Sequence, residues 1–170
     1  MKRQLIERGF TLIELLIVIM LLGILAFSVI GKFIGIASDA NIAILKSMGG
    51  VMQSAGQSVY TKSVLQGVNE LAKAEVDINA TDKIETLYGY PSASRHEGIS
   101  KAISNDIHED WIWSTDYRET VFYLTIASFT HTSGAYVNQV PIVATNCYLT
   151  YRPASVTARK PTVEYVITGC

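Results

Sequence analysis

Glu14 is the residue of this 170-residue chain whose surroundings least suit it. It sits near the start of an apolar stretch, Phe10 to Ile30, that contains no other charge. A carboxylate at the centre of a membrane-length helix costs about 2.5–3.5 kcal/mol on insertion scales, so such a residue is expected to have a partner or a function. The nearest cation this segment offers is an α-amino group, which would exist only if the chain were cut between Gly9 and Phe10. Glu14 and that amine are the first candidate pair. Cys147 and Cys170, the only two cysteines, are the second.

The other reactive side chains form no recognisable constellation. His96, His108 and His131 are scattered, with no nucleophile at an elbow, no metal-type spacing and no phosphate-cradling glycine loop, so no catalytic residues, cofactor or metal are expected. Asp77, Asn79 and Asp82 are spaced faintly like a calcium loop but lack its turn glycine and distant glutamate. Asn79-Ala80-Thr81 has the form of a glycosylation triplet. Trp111 and Trp113 read as core or sheet-edge residues before a binding patch, and Arg152, Arg159 and Lys160 as a solvated basic cluster. The formal net charge of −1 and the lack of a basic stripe argue against nucleic-acid binding.

The element that must position Glu14 is a helix. From Phe10 to Ile30 the stretch covers roughly 31 Å at 1.5 Å per residue, enough to cross a bilayer core. Lys2, Arg3 and Arg8 flank its N-terminal side, which keeps that end cytoplasmic and sends the rest of the chain across. Outside the cytoplasm Cys147 and Cys170 are expected to pair, closing a loop that stabilises the fold by roughly 3–3.5 kcal/mol on chain-entropy grounds. Free thiols or a metal pair are the alternatives. An ordinary secretory signal cleaved near Ala26-Phe27-Ser28, or a plain single-pass anchor, would also fit the apolar run. Neither explains Glu14 or the Gly9-Phe10 junction.

Beyond the anchor, apolar residues recur three or four apart at Ile34, Ala37, Ile44, Leu45, Met48, Val51, Met52, Ala55 and Val59, an amphipathic stripe that extends one helix from Phe10 to about Val64. Gln66 to Ser114 reads as an irregular connection, with a turn at Leu87-Tyr-Gly-Tyr-Pro91 and a short helix within Glu97 to Asn105. Thr120 to Ile126, Ile142 to Tyr151 and Thr162 to Thr168 are rich in β-branched and aromatic residues and read as antiparallel strands, with Arg152 to Pro161 as a hairpin loop. The expected fold is α+β: a long N-terminal helix packed on a C-terminal antiparallel sheet of three to four strands.

The string Gly9-Phe-Thr-Leu-Ile-Glu14, after a short basic leader and before an apolar run, resembles the type IV prepilin signal. The resemblance implies that a prepilin peptidase cuts between Gly9 and Phe10, that Phe10 becomes N-methylated, and that Glu14 serves in assembly. Cutting removes three cations and one anion, taking the formal charge from −1 to −3. Type IV pilins usually close a C-terminal disulfide loop, so the likeness extends to Cys147 and Cys170. Tyr88-Gly-Tyr-Pro91 and Ser38-Asp-Ala40 look most like the mannose-sensitive haemagglutinin branch.

The implied organisation is a cleaved leader (1–9), a transmembrane and filament-core helix (10–31), its amphipathic continuation (32–65), a connecting region (66–114) and a disulfide-closed sheet (115–170). Gly23 matches a glycine of the family, whereas Gly31 stands where a proline is usual. The Gly23 to Gly31 stretch is the expected site of helix flexibility. The implied role is a non-enzymatic structural subunit, a major pilin, with a minor pilin or secretion-system pseudopilin as the alternative. Its partners would be identical subunits in a helical filament, the peptidase and an inner-membrane assembly platform. The precursor would lie in the bacterial inner membrane and the product in an extracellular pilus for adhesion or motility.

Overall fold

The computed structural model describes residues 10–170 apart from 80, 105–106, 108–109, 131–133 and 136–137, and describes the backbone alone at 29–34 and 135. Helix α1 runs Leu12–Leu65, close to the limits set by the periodicity. The chain divides into two units, Met1–Ser38 and Asp39–Cys170.

Within Asp39–Cys170 the buried face of α1 carries Leu45, Met48, Met52 and Val59, while Val51 and Ala55 are half-buried. Ile44 and Ala37 are exposed instead, and the side chain of Ile34 lies outside the described residues. The face also includes small residues seven apart, Gly49, Gly56 and Ser63, all buried. Two turns of α-helix take about seven residues, so the three lie in one row. They let two segments approach closely: Tyr165 at Gly49, and the consecutive Gly89, Tyr90 and Pro91 at Ser63 and Gly56.

The region after α1 is more regular than its sequence suggests. Strands β1 (Ala74–Asp77), β2 (Lys83–Leu87) and β3 (Tyr90–Pro91) form a separate antiparallel sheet in the order β1-β2-β3. Tyr88 and Gly89 join β2 to β3 with φ of 50° and 80°. Two successive positive φ values suit a tight two-residue hairpin, and glycine adopts one of them without strain. Helix α2 (Ile99–Ala102) follows and is shorter than the segment expected for it.

Strand β4 (Trp111–Thr115) then begins inside what reads as irregular connection, and β5 (Phe122–Ile126), β7 (Tyr148–Arg152) and β8 (Thr162–Val166) complete an antiparallel array. A two-residue strand β6 (Gly134–Ala135) pairs with β4 in parallel, giving the order β6-β4-β5-β7-β8. The sheet is therefore four antiparallel strands with a short parallel edge, in keeping with an α+β fold. The strand expected from Ile142 is corrected in its first half: Val140–Ala144 form helix α3. Pro141 is pre-set for a first helical turn, and the Asn138 side chain accepts the Val140 amide at 3.1 Å.

Alternation along the strands sorts the two faces of this sheet. Trp111, Phe122, Leu124, Leu149 and Tyr151 join Leu45, Met48 and Met52 of α1 in the main core, together with Ile99 and Ile103. A second cluster of Val59, Val76 and Ile84 seals the small sheet. Tyr151, 1% exposed, links the two sheets by donating its hydroxyl hydrogen to the Pro91 carbonyl at 2.7 Å. Burial, then the neighbouring Tyr90, pushes its pKa far up, so it remains a donor.

Candidate functional site

Helix α1 starts with a reciprocal pair of contacts. Thr11 precedes the first helical residue, and its hydroxyl accepts the Glu14 amide at 3.3 Å. The Glu14 carboxylate in turn accepts the Thr11 amide at 3.4 Å and the Thr11 hydroxyl at 3.2 Å. This is a capping box: two helix-end N–H groups that lack carbonyl partners are satisfied by side chains, and the negative charge lies at the positive end of the helix dipole. The Thr-x-x-Glu spacing of this box is present in the sequence at Thr11 and Glu14. Within one chain Glu14 is thus a helix cap, still exposed and open to a second partner.

Phe10 lies just before the helix and is 76% exposed. Gly9, the other half of the expected cleavage junction, and the leader residues Lys2, Arg3 and Arg8 lie outside the described residues. From Leu12 to Phe27 large apolar side chains are exposed on every side of α1, from Val18 at 43% to Phe27 at 83%. Fully burying each such side chain is worth about 1.5–3 kcal/mol, so this surface has a strong drive to be covered. Gly23 is helical, and a Cβ there would meet nothing within 4 Å; Gly31 is helical in backbone. Among the described residues no helix is long and apolar enough to cross a membrane. The described side chains of this run end at Ser28, the short limit of the about 17–25 residues that a spanning helix needs.

In the second unit Cys147 and Cys170 form a disulfide with 4.8 Å between Cα atoms. Cys147 is buried immediately before β7 and Cys170 follows β8, so the bond ties the ends of two paired strands. The Asn41 side chain of α1 donates to the Cys170 carbonyl at 3.2 Å, which anchors the loop to the helix.

The remaining sequence candidates separate. Arg159 leaves the basic cluster to pair with Glu70 at 3.6 Å and to stack over the Tyr88 ring at 4.4 Å, while Arg152 faces Glu164 at 3.8 Å. Trp111 is a core residue, and Trp113 packs half-buried against the same core. Asp77 pairs with Lys83 at 3.7 Å, and the Ile78 and Asn79 amides turn to the Asp82 carbonyl. Among the described residues no three His, Cys, Asp or Glu converge as metal ligands. His96 is exposed; His108 and His131 lie outside the described residues.

Residues 6–30 match the prokaryotic N-terminal methylation motif, a type IV pilin-like leader. Such a leader implies processing by a prepilin peptidase and handling by pilus-type assembly machinery. No curated protein and no solved structure matches the chain significantly. The match to the leader covers the capping box, Gly9-Phe10 and the bare apolar run together.

Proposed function

We propose that this chain is the major structural subunit of a bacterial type IV pilus, non-enzymatic, and held in the inner membrane before assembly. The observation that carries the reading is the methylation motif running straight into a helix whose apolar side chains are bare all round. Such a surface needs lipid before assembly and copies of itself afterwards. The disulfide-tied sheet supports a pilin over a secretion-system pseudopilin, because major pseudopilins commonly lack that loop. Tyr88-Gly-Tyr-Pro91 and Ser38-Asp-Ala40 favour the mannose-sensitive haemagglutinin branch.

The proposed mechanism is self-assembly. Cleavage after Gly9 frees the Phe10 amine, which is then methylated and still positive. In the filament core that amine meets Glu14 of a neighbouring subunit. Pairing offsets the burial of both charges and fixes axial register, the best-attested use of a buried ionic contact. The Gly23 to Gly31 stretch loosens as subunits pack, since glycines weaken a helix by about 0.5–1 kcal/mol each relative to alanine.

Mass spectrometry of filaments sheared from cells tests the reading. This chain, beginning at methylated Phe10, is expected as the main component. Its presence only in trace amounts would indicate a minor pilin, and its absence from any surface filament a pseudopilin. Cells expressing only Glu14→Gln are expected to process the subunit yet make few filaments; normal filament numbers would overturn the register mechanism.

A further inference from the structure

A cleft of about 500 Å³ lies between β2, the β4–β5 turn and the loop joining β7 to β8. Its charged lining is Lys73, Arg118, Arg152 and Lys160 against Glu85 and Glu119, two more cations than anions. Of the two carboxylates Glu85 is ion-paired, while Glu119 is exposed and keeps its charge. Lys73 holds Glu85 at 2.6 Å, and one oxygen of Glu119 accepts the Arg95 amide at 3.4 Å. Arg118 and Lys160, both exposed, have no ion-pair partner among the described residues, and the Arg152 contact to Glu164 is long at 3.8 Å. Two cations without an ion-pair partner, and a third held only by that long contact, line a concave volume of ligand size.

The walls are held in shape. Asp116 accepts the Thr120 amide at 2.6 Å, the Thr120 hydroxyl at 2.7 Å and the Val121 amide at 2.7 Å, which fixes the turn that carries Arg118. Within that turn Glu119 has φ of 52°, a left-handed conformation that costs a non-glycine residue about 1 kcal/mol or more and tends to collect at binding sites. Across the cleft, Pro153 and Pro161 bracket the other loop, whose Ser155 and Ala158 are joined by two hydrogen bonds. Besides the cations the lining offers the Thr162 hydroxyl, the Thr120 hydroxyl oxygen as an acceptor while its hydrogen goes to Asp116, the Ser155 hydroxyl alongside its bond to the Ala158 amide, and a small apolar wall of Leu87, Pro153 and Ala154.

From this arrangement we infer that the cleft binds a sugar bearing an acidic group, with Arg118, Arg152 and Lys160 on the carboxylate or phosphate and the threonine and serine hydroxyls on the ring. Arginine forks match either oxyanion. A carboxylated and a phosphorylated sugar share this chemistry, and the inference is independent of filament formation.

Isothermal titration of the full-length, disulfide-intact chain in neutral detergent tests it, with glucuronic acid, glucose 6-phosphate, glucose and inorganic phosphate as the probes. At least one sugar acid is expected to saturate the protein and to bind about tenfold tighter than glucose or phosphate; whichever of the two binds tighter identifies the acidic group. The Arg118→Ala/Lys160→Ala variant, altered only at exposed side chains, is expected to lose at least about tenfold in affinity with an unchanged melting temperature, and Lys160→Arg to retain it. Failure of both sugar acids to saturate, equal binding by the double variant, or phosphate alone matching the sugar acids would each overturn the inference.

Discussion

The Thr11 hydroxyl lies 3.2 Å from the Glu14 carboxylate and 3.3 Å from the Glu14 amide, so one side chain caps the helix and orients the acid three residues later. Glu14 is therefore positioned by its own chain. Removing a Thr cap costs about 0.5–2 kcal/mol. Thr11→Val is expected to speed hydrogen exchange at the Glu14 amide by about 2–30-fold in detergent, and Thr11→Ser to leave it near the wild-type rate. Unchanged exchange in the valine variant would mean that the box does not form in solution.

Gly49 and Gly50 are neighbours with opposite surroundings. A Cβ on Gly49 would run into the Tyr165 hydroxyl, whereas one on Gly50 meets nothing within 4 Å. Gly50→Ala is expected to stabilise the fold by about 0.5–1 kcal/mol through helix propensity. Gly49→Ala gains the same propensity but must displace the Tyr165 ring, and overpacking of about 1–3 kcal/mol leaves it net destabilised. Urea midpoints that moved in the same direction for both would contradict this packing.

Tyr151→Phe removes the hydrogen bond to the Pro91 carbonyl and leaves a buried acceptor unpaired. A loss of about 1–2 kcal/mol is expected in urea unfolding. Reducing the Cys147–Cys170 bond should cost more, about 3.4 kcal/mol for the loop it closes, visible as a lower urea midpoint in the presence of reductant. A disulfide effect smaller than the tyrosine effect would reverse the ranking.

Acid should loosen the β4–β5 turn. Burial raises the Asp116 pKa, but hydrogen bonds from the Thr120 hydroxyl and from the Val121, Thr120 and Arg118 amides outweigh it, and the net shift is downward. A carboxyl with a folded pKa below its unfolded value contributes stability in full above the unfolded pKa, near 3.8. That contribution fades as pH falls from there through the folded value. Asp116→Asn is expected to be less stable than wild type at pH 7, with the gap narrowing below about pH 4 in unfolding curves. A gap that did not change with pH would assign the role of Asp116 to packing rather than charge.

Local physical chemistry made a large part of this chain legible. The apolar run, the acid within it and the Gly9-Phe10 junction depend only on residue order, and they coincide with the matched motif. Helix α1 was readable because a 3.6-residue period repeats over many turns, and the Tyr88-Gly89 turn because glycine marks positive φ. The cysteine pairing followed from compartment and count.

What the sequence left open depends on neighbours distant in the chain. Strand β2 points Ile84 and Thr86 inward, too weak an alternation to read until Val76 and Val59 cover it. Ile142-Val143-Ala144 favours a strand by composition, yet Pro141 and the Asn138 side chain that accepts the Val140 amide start a helix there. The row Gly49, Gly56 and Ser63 looks like a set of helix-weakening residues until Tyr165, Tyr90 and Gly89 come to rest on it. Residue order by itself determined the leader, the span of the helix and the cysteine pair, because those rest on charge, period and turn chemistry within a few residues. Only tertiary structure decided that Ile44 and Ala37 fall outside the buried face of α1, and that Arg152 and Lys160 line a cleft with Arg118 while Arg159 turns away to Glu70, because those distances are set by packing between segments that the sequence holds far apart.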